Sequence, residues 1–101
     1  MSLVFKALSD PTRREILRLL REKDLTAGEI AARFDLAKPT LSGHFAVLRE
    51  ADLIQSEKSG TTVTYHLNLS VLEEAMCLFL DHFGLVLESR SLPSRLQKDK
   101  P

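Results

Sequence analysis

Residues Thr26–Ile54 read TAGEIAARFDLAKPTLSGHFAVLREADLI. Thr26-x-x-Glu29 is a capping-box pattern, in which each side chain satisfies a backbone N–H at a helix start. Ile30, Ala31 and Phe34 then face inward, and the helix is expected to stop near Asp35. Leu36 is expected to fill the space before the next helix. That helix starts at Pro39, because the residue before a proline avoids the helical region. Leu41, Phe45 and Leu48 form a buried stripe at i, i+4 and i+7. Thr40, Gly43, His44 and Val47 fall on or near the opposite face, with Lys38 and Ser42 near the exposed start. The run leaves through Leu53-Ile54 into a strand. Short helix, tight turn, second helix with a polar outer face and apolar exit together predict a helix-turn-helix.

The flanks extend this frame. Upstream, an apolar segment from Leu3 to Leu8 ends at Ser9-Asp10-Pro11. Asp10 is a good N-cap and Pro11 a good first helical residue, since its missing N–H would be unpaired anyway. The helix that follows carries Ile16, Leu17 and Leu20 on one face and Arg14, Arg18 and Arg21 on another, and ends around Glu22 to Asp24. Downstream, Leu53–Lys58 and Thr62–Leu69 are β-branched or alternating and split by Ser59-Gly60-Thr61, which predicts a hairpin. Ser70-x-x-Glu73 is a second capping box, opening a helix from Val71 to about Leu87 with too many apolar positions for one buried face. A second copy of the chain is the simplest cover for the surplus. The expected fold is mainly α with a small β-hairpin, in the order α-α-α-α-β-β-α, a winged helix-turn-helix over residues 1–90. Residues 91–101 are polar, hold two prolines and are expected to form a disordered tail.

Composition bounds the function. The chain has 101 residues, 44% hydrophobic and 28% charged, which suits one globular domain. A single cysteine, Cys77, excludes an intrachain disulfide and a thiolate-rich metal site within one subunit. No apolar run is long enough to span a membrane, so membrane insertion is not expected and a cytoplasmic location is the default. No glycine-rich phosphate loop, nucleophile elbow or paired-carboxylate site is present, so an enzyme is not expected. Fourteen basic residues balance fourteen acidic ones. Overall neutrality weighs against a nucleic-acid binder, but Ala37–Arg49 carries Lys38, His44 and Arg49 and no acid.

A helix-turn-helix with a wing can lay its second helix in the major groove of double-stranded DNA. The candidate DNA-contacting residues are Lys38, Pro39, Thr40, Ser42, Gly43 and His44 on that helix and Lys58, Ser59, Thr61 and Thr62 at the wing. Lys38 suits a phosphate or guanine edge, and the hydroxyls suit phosphates or either kind of base. Neither Ala37 nor Lys38 can cap the helix, which leaves its first N–H groups to water or to a phosphate. His44 could instead pack against the neighbouring helix. Arg13 and Arg14 read as a structural ion pair or a solvated face ahead of a phosphate contact, His66 as structural, and Cys77 as a small buried hydrophobe. Two rivals stay open: a winged-helix protein-interaction module, and a ligand-responsive sensor with the same DNA mechanism.

Asp10-Pro11-Thr12-Arg13-Arg14-x-Ile16-Leu17, Ile30-Ala31 and Lys38-Pro39-x-x-Ser42-x-His44-x-x-x-Leu48-Arg49-x-Ala51-x-Leu53-Ile54 resemble the ArsR-type winged-helix repressors. Val4-Phe5-Lys6-Ala7, Thr26-Ala27-Gly28 and Lys38-Pro39 are most similar to the metal-independent autorepressors of the sporulation-delay operon type. The resemblance implies a homodimer joined by the first and last helices, through Val4, Phe5, Leu8, Leu72, Met76, Phe79 and Phe83. It implies repression at an imperfect palindromic operator, and release by sequestration at a membrane-bound protein. Many relatives sense metal, and here the chain departs. The thiolate positions of arsenic and cadmium sensors fall near Thr26 and Gly28. Adjacent Asp81 and His82 point about 100° apart on a helix, unlike the paired ligands of last-helix sensors. No metal and no cofactor are therefore expected. Gly43 stands where relatives often carry a long polar side chain, and Asp52 where they commonly have glycine.

Overall fold

The computed structural model describes residues 2–85. The elements run α1 (Ser2–Leu8), α2 (Pro11–Glu22), β1 (Leu25–Thr26), α3 (Ala27–Ala31), α4 (Lys38–Glu50), β2 (Ile54–Ser59), β3 (Thr62–Leu67) and α5 (Leu69–His82). This is the expected order with one addition. β1 pairs antiparallel with β3, Leu25 opposite Tyr65 and Thr26 opposite Thr64, so the sheet has order β1-β3-β2. Two residues are too few to show a strand period, which is why β1 escapes a sequence reading. The tail expected over 91–101 lies outside the described residues.

Local chemistry sets most boundaries. The Asp10 carboxylate accepts from the N–H groups of Thr12 (2.7 Å) and Arg13 (3.2 Å), starting α2. Thr26 and Glu29 form the reciprocal capping box that starts α3. α3 stops at Ala31, earlier than expected, because Arg33 and Phe34 turn back onto Ile30 and Ala31 through bonds of three-residue span. Leu36 does not fill the inter-helix space; it is 39% exposed, and half-buried Phe34 packs against the core instead. α4 ends in a Schellman turn. Asp52 takes φ 61°, its N–H bonds Arg49 O, and Leu53 N–H bonds Leu48 O. The aspartate thus does adopt the left-handed conformation that glycine more commonly supplies.

The start and end of α5 differ from expectation. It begins at Leu69, with Asn68 at the N-cap. Ser70 is already inside the helix and its hydroxyl lies 3.2 Å from Asn68 Oδ1, so the expected Ser70–Glu73 capping box does not form. The cause is upstream: Asn68 N–H bonds Leu53 O, which ends the sheet and turns the chain immediately. At the other end α5 stops at His82, not near Leu87. Gly84 at φ 73° makes a second Schellman turn, with Gly84 N–H on Asp81 O and Leu85 N–H on Leu80 O.

The core lies where α2, α4, β1 and β3 meet. Ile16, Ile30, Leu48 and Leu53 are sealed at its centre, and Phe45 stacks on Tyr65 with ring centroids 4.4 Å apart. Val4 and Ala7 bring α1 onto it. α5 contributes only Ala75 as a buried residue.

Candidate nucleic-acid interface

α4 is held by Leu41, Phe45 and Leu48 on one side, which turns the other side outward. Lys38, Pro39, Thr40, Ser42 and Gly43 are all exposed. Along α4 no acid appears before Glu50. Ala37 is the N-cap and offers no side-chain acceptor, so the first turn keeps N–H groups open to an anion. A Cβ on Gly43 would meet nothing within 4 Å. Its smallness is therefore not demanded by packing inside the protomer.

Two expected outer-face residues are placed differently. Val47 is half-buried and packs against the core. His44 is also half-buried, with Nδ1 3.1 Å from Arg13 Nη1. Arg13 is the residue that sequence reasoning undervalued. Its Nε donates to Ala7 O (2.8 Å) and its Nη2 to Lys6 O (3.0 Å), while Arg14 Nη1 donates to Leu8 O (2.7 Å). Two guanidinium groups thereby satisfy three carbonyls ending α1. The available signal was the need of those terminal carbonyls for donors, met by a dipeptide placed just after the turn. Asp10 completes the cluster. Partial desolvation raises its carboxyl, but the backbone N–H groups of Arg13 and Thr12 and the charge of Arg13 hold it below the ordinary value.

The hairpin carries Lys58, Ser59, Thr61 and Thr62, all exposed. β2 is an edge strand, and only its first residue, Ile54, is buried. The strands close at the Ser59–Thr62 pair, and Gly60 at φ 63° takes the left-handed corner of the two-residue turn. Glu57 precedes Lys58 and faces the other side of the strand, which lowers the net charge of the tip. His66 Nδ1 meets Asp24 Oδ2 at 3.4 Å, joining β3 to the segment before β1.

α1 and α5 carry the residues expected at a dimer contact. Val4 is an exception, since it is 7% exposed and belongs to the protomer's own core. Phe5, Leu8, Leu72 and Met76 are half-buried. Phe79 and Phe83 are 43% and 61% exposed, and Leu78 and Leu85, not anticipated, are 51% and 57% exposed. Phe5, Phe79 and Phe83 form a ring ladder with centroid spacings of 5.0 and 5.1 Å. Cys77 is exposed, a correction to its reading as a buried hydrophobe. It lies two positions from Ala75, roughly 200° around the helix from the one buried residue of α5. Among the described residues no three His, Cys, Asp or Glu side chains gather as a metal site requires, and no helix is long and apolar enough to cross a membrane.

An outward-facing polar helix, an edge-strand wing and an exposed apolar face on α1 and α5 are the parts of a winged helix-turn-helix regulator. Residues 10–56 match the model of the arsR family of bacterial regulatory proteins. The chain is 46% identical over 76 residues to the transcriptional repressor SdpR of Bacillus subtilis (strain 168), spanning 75% of this chain and 84% of that one. It is 38% identical over 73 residues to the arsenical resistance operon repressor of Staphylococcus xylosus, spanning 72% and 70%. A crystal structure of an ArsR family transcriptional regulator superposes with TM-score 0.76 at 28% identity, covering 82% of this chain and 91% of the other. The chain belongs to the arsR family, and its relatives are regulators, not enzymes.

Proposed function

We propose that this protein is a cytoplasmic transcriptional repressor that acts as a homodimer on a palindromic promoter site, without metal. The observation that carries the reading is the exposed, acid-free set Lys38, Pro39, Thr40, Ser42 and Gly43 on a helix locked from behind by Leu41, Phe45 and Leu48. Two such helices, one per protomer, would enter successive major grooves about 34 Å apart. Lys38 and the open N–H groups of the first turn would hold phosphates, Thr40 and Ser42 would reach bases or phosphates, and the wing would add contacts from Lys58, Ser59, Thr61 and Thr62. Occupying the promoter would exclude polymerase. The apolar ladder on α1 and α5 supports the dimer, since exposed apolar patches of this kind mark interaction sites.

The test is an anisotropy titration on the chain's own upstream region against an unrelated duplex. Selective binding should weaken with salt, with log affinity falling by about 0.9 per phosphate contact for each log unit. Lys38→Ala should lower both affinity and that slope, and Ser42→Ala affinity alone, with unchanged thermal melts. Absence of selective binding would overturn the reading. Zinc, nickel or cadmium added to the titration should leave the affinity where it was; a metal-dependent shift would favour the sensor alternative.

A further inference from the structure

The polar contact between α2 and α4 is built by a group that can only donate. The Arg13 guanidinium is anchored on Lys6 O and Ala7 O, and its remaining nitrogen, Nη1, reaches His44 Nδ1 at 3.1 Å. Guanidinium has five N–H donors and no acceptor. His44 Nδ1 must therefore accept, which leaves the ring proton on Nε2. Nδ1 and Nε2 flank Cε1 and their in-plane directions diverge widely, so the Nε2–H bond is aimed away from Arg13. No other described residue makes a hydrogen bond to that ring. Capping α1 does not by itself explain the arrangement. Nε and Nη2 of Arg13 already serve the cap, together with Arg14 on Leu8 O, and Nη1 is spent on His44.

We propose that Arg13 is a positioning residue of the reading surface. It fixes His44 as a neutral ring with a single Nε2–H donor presented from α4 to a hydrogen-bond acceptor on DNA. The acceptor is a major-groove base edge, such as a purine N7, or a phosphate oxygen. Asp10, at the start of α2, is the acidic group whose charge faces the Arg13 guanidinium, and it favours that group in its place. The inference rests on α4 being the DNA-reading helix. It makes His44 half-burial a means of aiming the ring.

Two measurements test it together. Nitrogen-15 spectra of the imidazole should show Nδ1 unprotonated and Nε2 protonated in the wild type, and a tautomer mixture in Arg13→Lys. In anisotropy titrations His44→Gln, whose amide N–H can stand near Nε2, should keep affinity within a few fold. His44→Asn and His44→Ala should lose roughly tenfold, the scale of one net hydrogen bond. Arg13→Lys should lose affinity to a similar degree, and the Arg13→Lys/His44→Ala double variant should be no weaker than His44→Ala alone. Loss confined to the upstream duplex identifies a base edge; equal loss on an unrelated duplex identifies a phosphate. Additive effects, or a mixed tautomer in the wild type, would overturn the inference. If Arg13→Lys fails to fold, the comparison of His44→Gln with His44→Ala decides, and equal affinities for the two would overturn it. A wild type that binds selectively while His44→Ala is unchanged removes only this inference. A wild type that selects no duplex removes the proposed function instead.

Discussion

Single residues carry much of the local definition. Asp10 closes two N–H groups of α2 and is held below its ordinary carboxyl value of 3.8. A carboxylate depressed in the folded state stabilises the fold above its unfolded value and ceases to as pH falls through the folded one. Asp10→Ala should therefore cost about 1 kcal/mol at neutral pH, and the gap to wild type should narrow below pH 3.8. Thermal melts across that range check it. Gly43 offers a second single-residue test. Glycine in a helix interior costs about 1 kcal/mol against alanine, and the site has room. Gly43→Ala should raise the melting temperature by roughly 4–8 °C. If its affinity for DNA falls at the same time, the glycine serves close approach of the ligand to α4.

Elements are bounded here more by their ends than by their interiors. α4 is apolar on one face in the simple helical period, yet its exit depends on Asp52 at φ 61°. α5 has apolar residues well past its centre, and periodicity alone extends it to Leu87. The Schellman turn at Gly84 ends it at His82. Gly84→Ala should destabilise that turn by about 1–2 kcal/mol, the cost of a left-handed conformation for a residue with a Cβ. Hydrogen exchange over residues 80–85 should speed up in the variant. The wing behaves differently, because β2 pairs only with β3 and is exposed beyond Ile54. Its position depends on the hairpin register and on the body from which it leaves, through Asn68 N–H on Leu53 O.

At the scale of the molecule, the polar face of α4 is the proposed reading surface and the apolar face of α1 and α5 the proposed dimer contact. The Phe5–Phe79–Phe83 ladder, with Leu78 and Leu85 nearby, leaves large apolar side chains on a face that the described residues do not cover. Replacing Phe79 and Phe83 together by Asp should shift sedimentation from dimer to monomer and remove the concentration dependence of the melting temperature. Operator affinity should fall with it, because each protomer then binds one half-site alone. The protomer itself should stay folded, since both residues lie outside its core.

The chain alone was enough to locate the helix-turn-helix, the hairpin, the Asp10 and Thr26 caps and the buried stripe of α4. Each is a local pattern, set by residues that stand close to one another along the chain. β1, the start of α5 and the role of Arg13 were not legible in that way. β1 exists because β3 lies beside it, α5 starts where Leu53 O catches Asn68, and Arg13 meets a histidine 31 residues further on. Cys77 and Val4 exchanged their expected environments for the same reason. Periodicity states that a residue is apolar or small; only packing states which neighbour, if any, takes it out of water.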